Sequence, residues 1–472
     1  MANGEYDLII IGAGSAGLTA AGFAAQLGLK VALAEKNRIG GDCTWTGCVP
    51  SKSLLKAAKI AHQMRNAHRF GIASAEPEVD LKAVMARVKR VVEEVYQAES
   101  PETLRASGID VYLGPTRFLD SHTIETGDDT LTGRRFLIAT GARPSVPPIS
   151  GIDDVDFLTY ETLWDLEELP RSFIVIGGGP IGCEMAQAFC RLGSHVTLLE
   201  AGPRILPQDE PEASDLIASC LITDGVDLRL GATVQRVWQN GDTIHVGIEG
   251  QELEGDALLV AAGRRPALED LRLDKAGVVY GPHGIEVNTR LRTNRRHIYA
   301  AGDCLGGYQF THYAAWQGFM AVRNAFLPSS KSAVLDQVPW ATFTDPELAH
   351  TGLTEAQAQS KFGQEVVVCN WPMDQVDRAL TEGDAIGFVK LIHRPNGTIL
   401  GATIAATRAG EMIQEWSLAI DLGLKIGALA NSIHVYPTYA TASMQAAAHI
   451  KVQQLLTGTS GRVIRGMARL AR

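Results

Sequence analysis

The chain has 472 residues, 46% hydrophobic and 20% charged, with a net charge of −10 and a pI near 5.7. This is the profile of a globular protein of several domains, and its acidic balance argues against sequence-independent binding to nucleic acid or to an anionic membrane. Seven cysteines, at 43, 48, 183, 190, 220, 304 and 369, are odd in number and scattered, unlike the disulfide framework of a small secreted domain; no basic leader opens the chain, so the cytoplasm is the expected compartment.

In chain order, a strand over Asp7–Ile11 leads into Gly12-Ala13-Gly14-Ser15-Ala16-Gly17. A helix follows to Gly28, then a strand over Lys30–Ala34 that ends at Glu35 and Lys36. Strand, G-x-G-x-x-G, helix, strand and acid form a dinucleotide fingerprint. The glycines permit a tight turn and let a pyrophosphate reach the helix N-terminus, while the carboxylate accepts from a ribose hydroxyl. The uncharged run Leu8–Leu29 is long enough to span a bilayer. Five glycines interrupt it and its period changes after Gly14, so it reads as a buried βα unit with no membrane span.

Next comes Gly41-Asp42-Cys43-Thr44-Trp45-Thr46-Gly47-Cys48-Val49-Pro50-Ser51-Lys52, with an amphipathic helical period over Val49–Met64. If Cys48 opens that helix and Cys43 sits in the preceding turn, the two are within disulfide reach. Cys48 then faces unpaired N–H groups and the positive end of the helix dipole, and Lys52 adds charge one turn on. Both favour a thiolate. The pair reads as a reactive dithiol; two unrelated core cysteines are the alternative.

Glu78–Ser107 is helical by pattern, and Val111–Leu113, Thr116–Leu119, Thr123–Glu125 and Arg135–Ala139 read as a meander. Pro144–Pro148 marks a domain boundary. A second fingerprint then appears: strand Phe173–Ile176, Gly177-Gly178-Gly179-Pro180-Ile181-Gly182, helix Cys183–Leu192, strand His195–Leu199 and Glu200. Two such units imply two dinucleotides. Glu200 accepts from a free 2′-hydroxyl and repels a 2′-phosphate, which favours NAD(H) over NADP(H), although Arg204 lies close downstream.

Val226–Leu259 alternates like antiparallel strands and leads to Gly263-Arg264-Arg265-Pro266. Ile298-Tyr299-Ala300-Ala301-Gly302-Asp303 is a buried strand that delivers an acid at its C-terminal end, where ligands of open α/β sheets bind. A helix spans Thr311–Phe326. From Trp340 the texture is α+β, with strands near Glu365–Asn370, Gly387–His393 and Gly401–Ala405 and helices over Glu411–Leu422 and Tyr439–Leu456. Arg462, Arg465, Arg469 and Arg472 share one face of a solvated terminal helix.

A hydride from nicotinamide carries two electrons, and a disulfide accepts two electrons but is a poor hydride acceptor. A flavin between them resolves the mismatch, so the first fold is expected to hold FAD and the second NAD(H).

Taken together, these residues resemble the class I pyridine nucleotide–disulfide oxidoreductases, the family of dihydrolipoamide dehydrogenase, glutathione reductase and mercuric reductase. The resemblance covers essentially the whole chain. It rests on Gly12–Gly17 with Glu35, Gly41–Lys52, Ala139-Thr140-Gly141, Gly177–Gly182 with Glu184, Ala300–Asp303 and Phe343-Thr344-Asp345-Pro346-Glu347. It implies an α/β fold with two Rossmann-like domains and a C-terminal α+β dimerisation domain. The expected divisions are 1–149 (FAD), 150–271 (NAD(H)), 272–339 (FAD and central) and 340–472 (dimerisation). It implies Cys43 as the interchange thiol, Cys48 as the thiolate against the flavin, and Lys52 with Glu184 as an ion pair beside flavin N5. Asp303 is the implied ribityl contact, Thr311 and His312 flank the pyrimidine side, and a homodimer shares the active site.

Two departures stand out. Dithiol-handling members carry His-Pro-x-x-x-Glu, whose His is the proton-transfer base; here Tyr436 precedes Pro437 and Thr441 takes the Glu place. Tyrosine, with an ordinary pKa of about 10, is a poor base at neutral pH, and His434 is the remaining candidate. Tyr without the dyad is similar to mercuric reductases, since soft metal ions bind thiolates without a base. Yet no Cys follows Cys369, and no C-x-x-C precedes the first strand. Asp42 also stands where the family commonly places Thr. The expected activity passes electrons from NAD(P)H through flavin to Cys43–Cys48 and on to a disulfide, a metal ion such as Hg(II), or a quinone-like acceptor. Dihydrolipoamide dehydrogenase proper and a redox sensor or complex subunit with vestigial activity are the alternatives.

Overall fold

The computed structural model describes residues 5–328 and 331–471. Met1–Gly4 and Arg472, which entered the sequence reading, lie outside the described residues. The chain forms two compact units. One comprises residues 1–177, 191–196 and 233–336, the other 178–190, 197–232 and 337–472.

The first unit is built on a five-stranded parallel sheet. Its spatial order is Ile298–Ala300, Phe136–Ile138, Leu8–Ile11, Val31–Glu35 and Ile109–Leu113. The central strands are apolar and buried on both faces, as parallel strands must be when helices cover them. Two helices, Ser15–Gln26 and Thr311–Phe326, pack into the same core. They meet backbone to backbone, because a Cβ at Gly318 would lie 2.1 Å from the Ala16 carbonyl oxygen.

Here the expected meander needs correction. Ile109–Leu113 and Phe136–Ile138 belong to the parallel sheet, and the antiparallel sheet is Thr116–Phe118, Thr123–Thr126 and Asp129–Thr132. Short apolar runs look alike in either kind of sheet, so pairing partners are not written in them. The helix over Glu78–Ser107 is two helices, Leu81–Tyr96 and Pro101–Ala106. Pro101 cannot continue the first helix and instead opens the second, capped by Ser100, whose hydroxyl accepts from the Thr103 N–H. Within Val226–Leu259 only Arg236–Asn240, Thr243–Ile248 and Gln251–Gly255 are antiparallel. Ala257–Val260 pairs in parallel with Ser172–Ile176 in the first unit, and Asp227–Leu230 pairs in parallel with Thr197–Glu200 in the second.

The second unit carries a five-stranded antiparallel sheet in the order Trp340–Thr342, Glu347–Gly352, Ile399–Ala406, Phe388–His393, Val367–Pro372. Its first two strands flank Asp345-Pro346, turn residues that hid them from pattern reading. The helices Ala409–Asp421 and Thr441–Leu456 bury Trp416, whose indole N–H donates to Ser443 Oγ at 2.9 Å. Lys390, 1% exposed on the sheet, meets Glu210 at 2.9 Å and Glu355 at 2.7 Å, and also Glu212. That cluster fastens the helix Pro211–Asp224 to the sheet. No described helix is long and apolar enough to cross a membrane.

Candidate active site

The cysteine stretch folds as two helices in succession. Cys43 lies on the short helix Gly41–Trp45, not in an open turn, and Cys48 is the first residue of Cys48–Arg65. Gly40 and Gly41 have φ of +107° and +62°, and a Cβ on Gly41 would sit 2.7 Å from Gly14 Cα. Only glycine lets this stretch turn and lie directly on the Gly12–Gly17 loop. Three side-chain bonds fix it: Trp45 Nε1 to the Ile39 carbonyl (2.6 Å), Trp164 Nε1 to the Thr46 carbonyl (3.0 Å) and Thr44 Oγ1 to Glu99 (3.1 Å).

The Cys43 thiol donates to the Cys48 sulfur. That bond, together with burial, pushes the Cys43 pKa well above its ordinary value. Cys43 is thus the thiol that holds its proton more tightly, and Cys48 is the more exposed of the two. Cys48 is supported by its own helix N-terminus and by Thr311, whose Oγ1 lies 3.5 Å from Sγ at the start of Thr311–Phe326. Lys52 is one turn along the same helix. The His312 ring stacks on Phe310 at 5.5 Å between centroids.

The two acids that close the fingerprints do the same structural work. Glu35 accepts from the Ala13 N–H (2.7 Å) and the Asn37 N–H (2.8 Å). Glu200 accepts from the Gly178 N–H (2.7 Å) and the Gly202 N–H (2.6 Å). Each carboxylate thus clamps its glycine turn to the end of the following strand and keeps lone pairs for a ribose. Arg204 is turned to the Pro207 carbonyl at 2.8 Å.

The first unit fits FAD by its own features. Helix Ser15–Gln26 starts at Gly14 with no side-chain cap and no acid in its first turn, leaving N–H groups for a diphosphate. A Cβ at Gly12 would strike the Ala139 carbonyl oxygen at 2.3 Å, so the loop admits nothing larger. Beside it the Thr140 hydroxyl is buried without a hydrogen-bond partner, in line with a polar ligand. Gly141 and Gly263 both have positive φ, at +69° and +126°, and the Gly302 N–H donates to Gln317 Oε1 at 2.9 Å.

One residue that the sequence reading passed over stands at the centre. Arg264 bonds Asp42 at 2.7 Å and Asp303 at 2.8 Å, and its Nε reaches the Tyr160 hydroxyl at 3.3 Å. Burial draws the Arg264 pKa down, but Asp303, Tyr160 and Asp42 together hold it above its ordinary value. Burial raises Asp303 even against Arg264. Asp42, the departure from Thr, is thereby neutralised within hydrogen-bond range. The only sequence signal was a lone Gly-Arg-Arg-Pro run; nothing pointed to Tyr160.

In the second unit Glu184 is buried on the helix Pro180–Leu192, which begins at the fingerprint residues Pro180, Ile181 and Gly182 just after Gly177 and Gly179. Glu184 accepts from the Phe343 N–H at 2.9 Å, and Gln187 accepts from the Asp345 N–H at 2.7 Å. Lys52 belongs to the first unit and Glu184 to the second. The Tyr436 hydroxyl donates to Asp377 at 2.7 Å, which raises its pKa further. His434 is no loose side chain: its Nε2 lies 2.8 Å from Glu415 and its Nδ1 3.2 Å from the Ser432 carbonyl. Thr441 contacts Thr438 and the Val435 carbonyl.

The chain matches the family model described as pyridine nucleotide-disulphide oxidoreductase over residues 6–318, and the dimerisation domain of the same family over 338–447. It is 39% identical over 444 residues to a mercuric reductase from Bacillus cereus, covering 93% of this chain and 70% of that one. It is 37% identical over 466 residues to a dihydrolipoyl dehydrogenase from Thermus scotoductus, covering 95% and 98%. Among solved structures, the HOCl-induced flavoprotein disulfide reductase RclA from Escherichia coli superposes with a TM-score of 0.86 at 31% identity, covering 94% of this chain and 99% of that one. The chain belongs to the pyridine nucleotide-disulphide oxidoreductase family and is an NAD(P)H-dependent FAD disulfide oxidoreductase.

Proposed function

We propose that the enzyme uses NADH to reduce the Cys43–Cys48 pair and that this pair reduces an acceptor needing no positioned acid–base group, a soft metal ion first and a quinone-like molecule second. FAD, when bound, takes the hydride on one face and passes two electrons to sulfur on the other. Cys48 holds the thiolate charge beside the flavin site, and Cys43 keeps the proton until it meets the acceptor. Glu35 and the Gly12–Gly17 turn bind the FAD dinucleotide, Thr140 and Asp303 orient it, and Glu200 selects the nicotinamide dinucleotide. Lys52, on the helix that Cys48 opens, is assigned to the flavin N5 side.

The observation that carries this reading is Tyr436, held as a hydrogen-bond donor to Asp377 where dithiol-handling relatives carry a base. Reducing a disulfide ends with protonation of a leaving thiolate, and oxidising a dithiol begins with loss of a proton. Both steps need an acid–base group, whereas a metal ion held by two thiolates takes two electrons without one. A homodimer is part of the proposal: Ile433 and Tyr436 are 97% and 67% exposed in the single chain, as suits a segment that a second copy covers over Cys43. Seven unbridged cysteines suit a reducing, cytoplasmic setting.

A second reading, dihydrolipoamide oxidation, is favoured by the His434–Glu415 pair, which resembles a displaced His–Glu dyad. Both ring nitrogens are engaged, so the pair offers no free base in this arrangement. Steady-state turnover with NADH and Hg(II), with a water-soluble quinone, and with dihydrolipoamide plus NAD⁺ tests the choice. General-base help is worth about 10²- to 10⁴-fold, so dithiol oxidation is expected to trail the best acceptor by that margin. Tyr436→His with Thr441→Glu should raise it. Dihydrolipoamide oxidation at the rate of the best acceptor would overturn the proposal.

A further inference from the structure

The terminal helix Gly458–Leu470 lies beyond the residues that the dimerisation model matches. At about 100° per residue, Val463, Ile464, Met467 and Leu470 fall in one arc of about 120°, and Arg462, Arg465 and Arg469 in an opposite arc of about 60°. The apolar arc is not packed: Val463, Met467 and Leu470 are 52%, 64% and 89% exposed. The helix is nonetheless anchored. A Cβ at Gly461 would meet the Leu456 carbonyl oxygen at 2.1 Å, which fixes a tight corner, and Arg465 Nη1 donates to that same oxygen at 2.8 Å.

Charge identifies what this face fits. After Asp421 the chain contains no Asp or Glu, but it has six basic residues: Lys425, Lys451, Arg462, Arg465, Arg469 and Arg472. The whole protein carries −10, which by itself would repel an anionic surface. Screening limits that repulsion, because charges beyond a Debye length of about 8 Å at physiological ionic strength count little. An anionic lipid surface complements both the arginines and the apolar arc.

We propose that Gly458–Leu470 is an interfacial helix that docks the enzyme on anionic lipid, its apolar arc inserted and its arginines at headgroup level. The test uses the full-length holoenzyme in co-sedimentation with phosphatidylcholine vesicles, with and without phosphatidylglycerol, at low and high salt. Binding is expected on the anionic vesicles at low salt and should be lost on the neutral ones and at high salt. Each arginine near such a surface contributes roughly fivefold, so Arg462→Gln with Arg469→Gln should weaken binding roughly 25-fold. Met467→Glu with Leu470→Glu removes two inserted side chains and should weaken it roughly 100-fold, while NADH still bleaches the flavin at the wild-type rate. The proposal is overturned by absence of binding to anionic vesicles at low salt, or by binding indifferent to Met467→Glu with Leu470→Glu. A fall in mass by light scattering in that variant, without any vesicle binding by the wild type, would instead assign the face to a second copy.

Discussion

Arg264 is the residue whose removal the structure makes most consequential. Its side chain is 20% exposed, and the guanidinium faces two carboxylates, Asp42 and Asp303, at 2.7 and 2.8 Å. Unit charges about 4 Å apart interact by about 4 kcal/mol at an effective dielectric near 20, and removing one partner of a buried pair typically costs about 3–5 kcal/mol. Asp42 is 37% exposed, and solvent there argues for the lower end, about 3 kcal/mol, for Arg264→Met. Asp42→Asn should cost only about 1 kcal/mol, because Arg264 keeps Asp303. Once Asp42 is neutral, removing Arg264 strands one carboxylate instead of two, so the double variant should cost less than the sum.

The assay is urea-induced FAD release, followed by flavin fluorescence, for wild type, both single variants and the double. The pH dependence has a definite sign. Burial holds the Asp303 carboxyl above its ordinary range, so the folded protein binds that proton more tightly than the unfolded chain does. Stability from this group is present below the ordinary Asp value and is lost as pH rises through the raised one. Arg264→Met raises it further, so the penalty should grow toward neutral pH and shrink in acid. Equal penalties for Arg264→Met and Asp42→Asn, or strictly additive effects, would refute the reasoning.

Cys43→Ser should leave Cys48 unable to form the disulfide and give a long-wavelength flavin absorbance band without reductant; absence of the band at every pH would remove Cys48 from the flavin. Glu200, with both oxygens fixed by Gly178 and Gly202, should favour NADH over NADPH in kcat/KM by about 30- to 1000-fold, equivalent to roughly 2–4 kcal/mol; a preference for NADPH would give Arg204 the deciding role. Lys390→Met should lower stability by about 3–5 kcal/mol in urea unfolding followed by tryptophan fluorescence. Three glutamates raise the Lys390 pKa despite burial, so its contribution is full below the ordinary lysine value and lost only in alkali. Glu210→Gln in the Lys390→Met background should restore part of the loss; a loss under about 1 kcal/mol would place the cluster among surface pairs.

The sequence by itself determined both dinucleotide turns, their terminal acids and the reactive cysteine pair. Each is a local pattern: the turn glycines, Glu35 and Glu200 sit at the ends of short strands, and the structure adds only that each acid clamps its own turn. Cys48 at a helix start is likewise set by residues that follow it directly. Pairing and convergence were decided elsewhere. Nothing in Ile109–Leu113 or Phe136–Ile138 distinguishes a parallel partner from an antiparallel one, since a short apolar run satisfies both. His434 reads as a lone histidine until the fold brings Glu415 to it. Asp42 and Arg264 are 222 residues apart, and their pairing depends on the Gly40–Gly41 turn, the Tyr160 loop and the end of Ile298–Ala300 arriving at one place. An ion pair of that kind is decided only by tertiary structure, because its energy lies in excluding water around charges that no local spacing brings together.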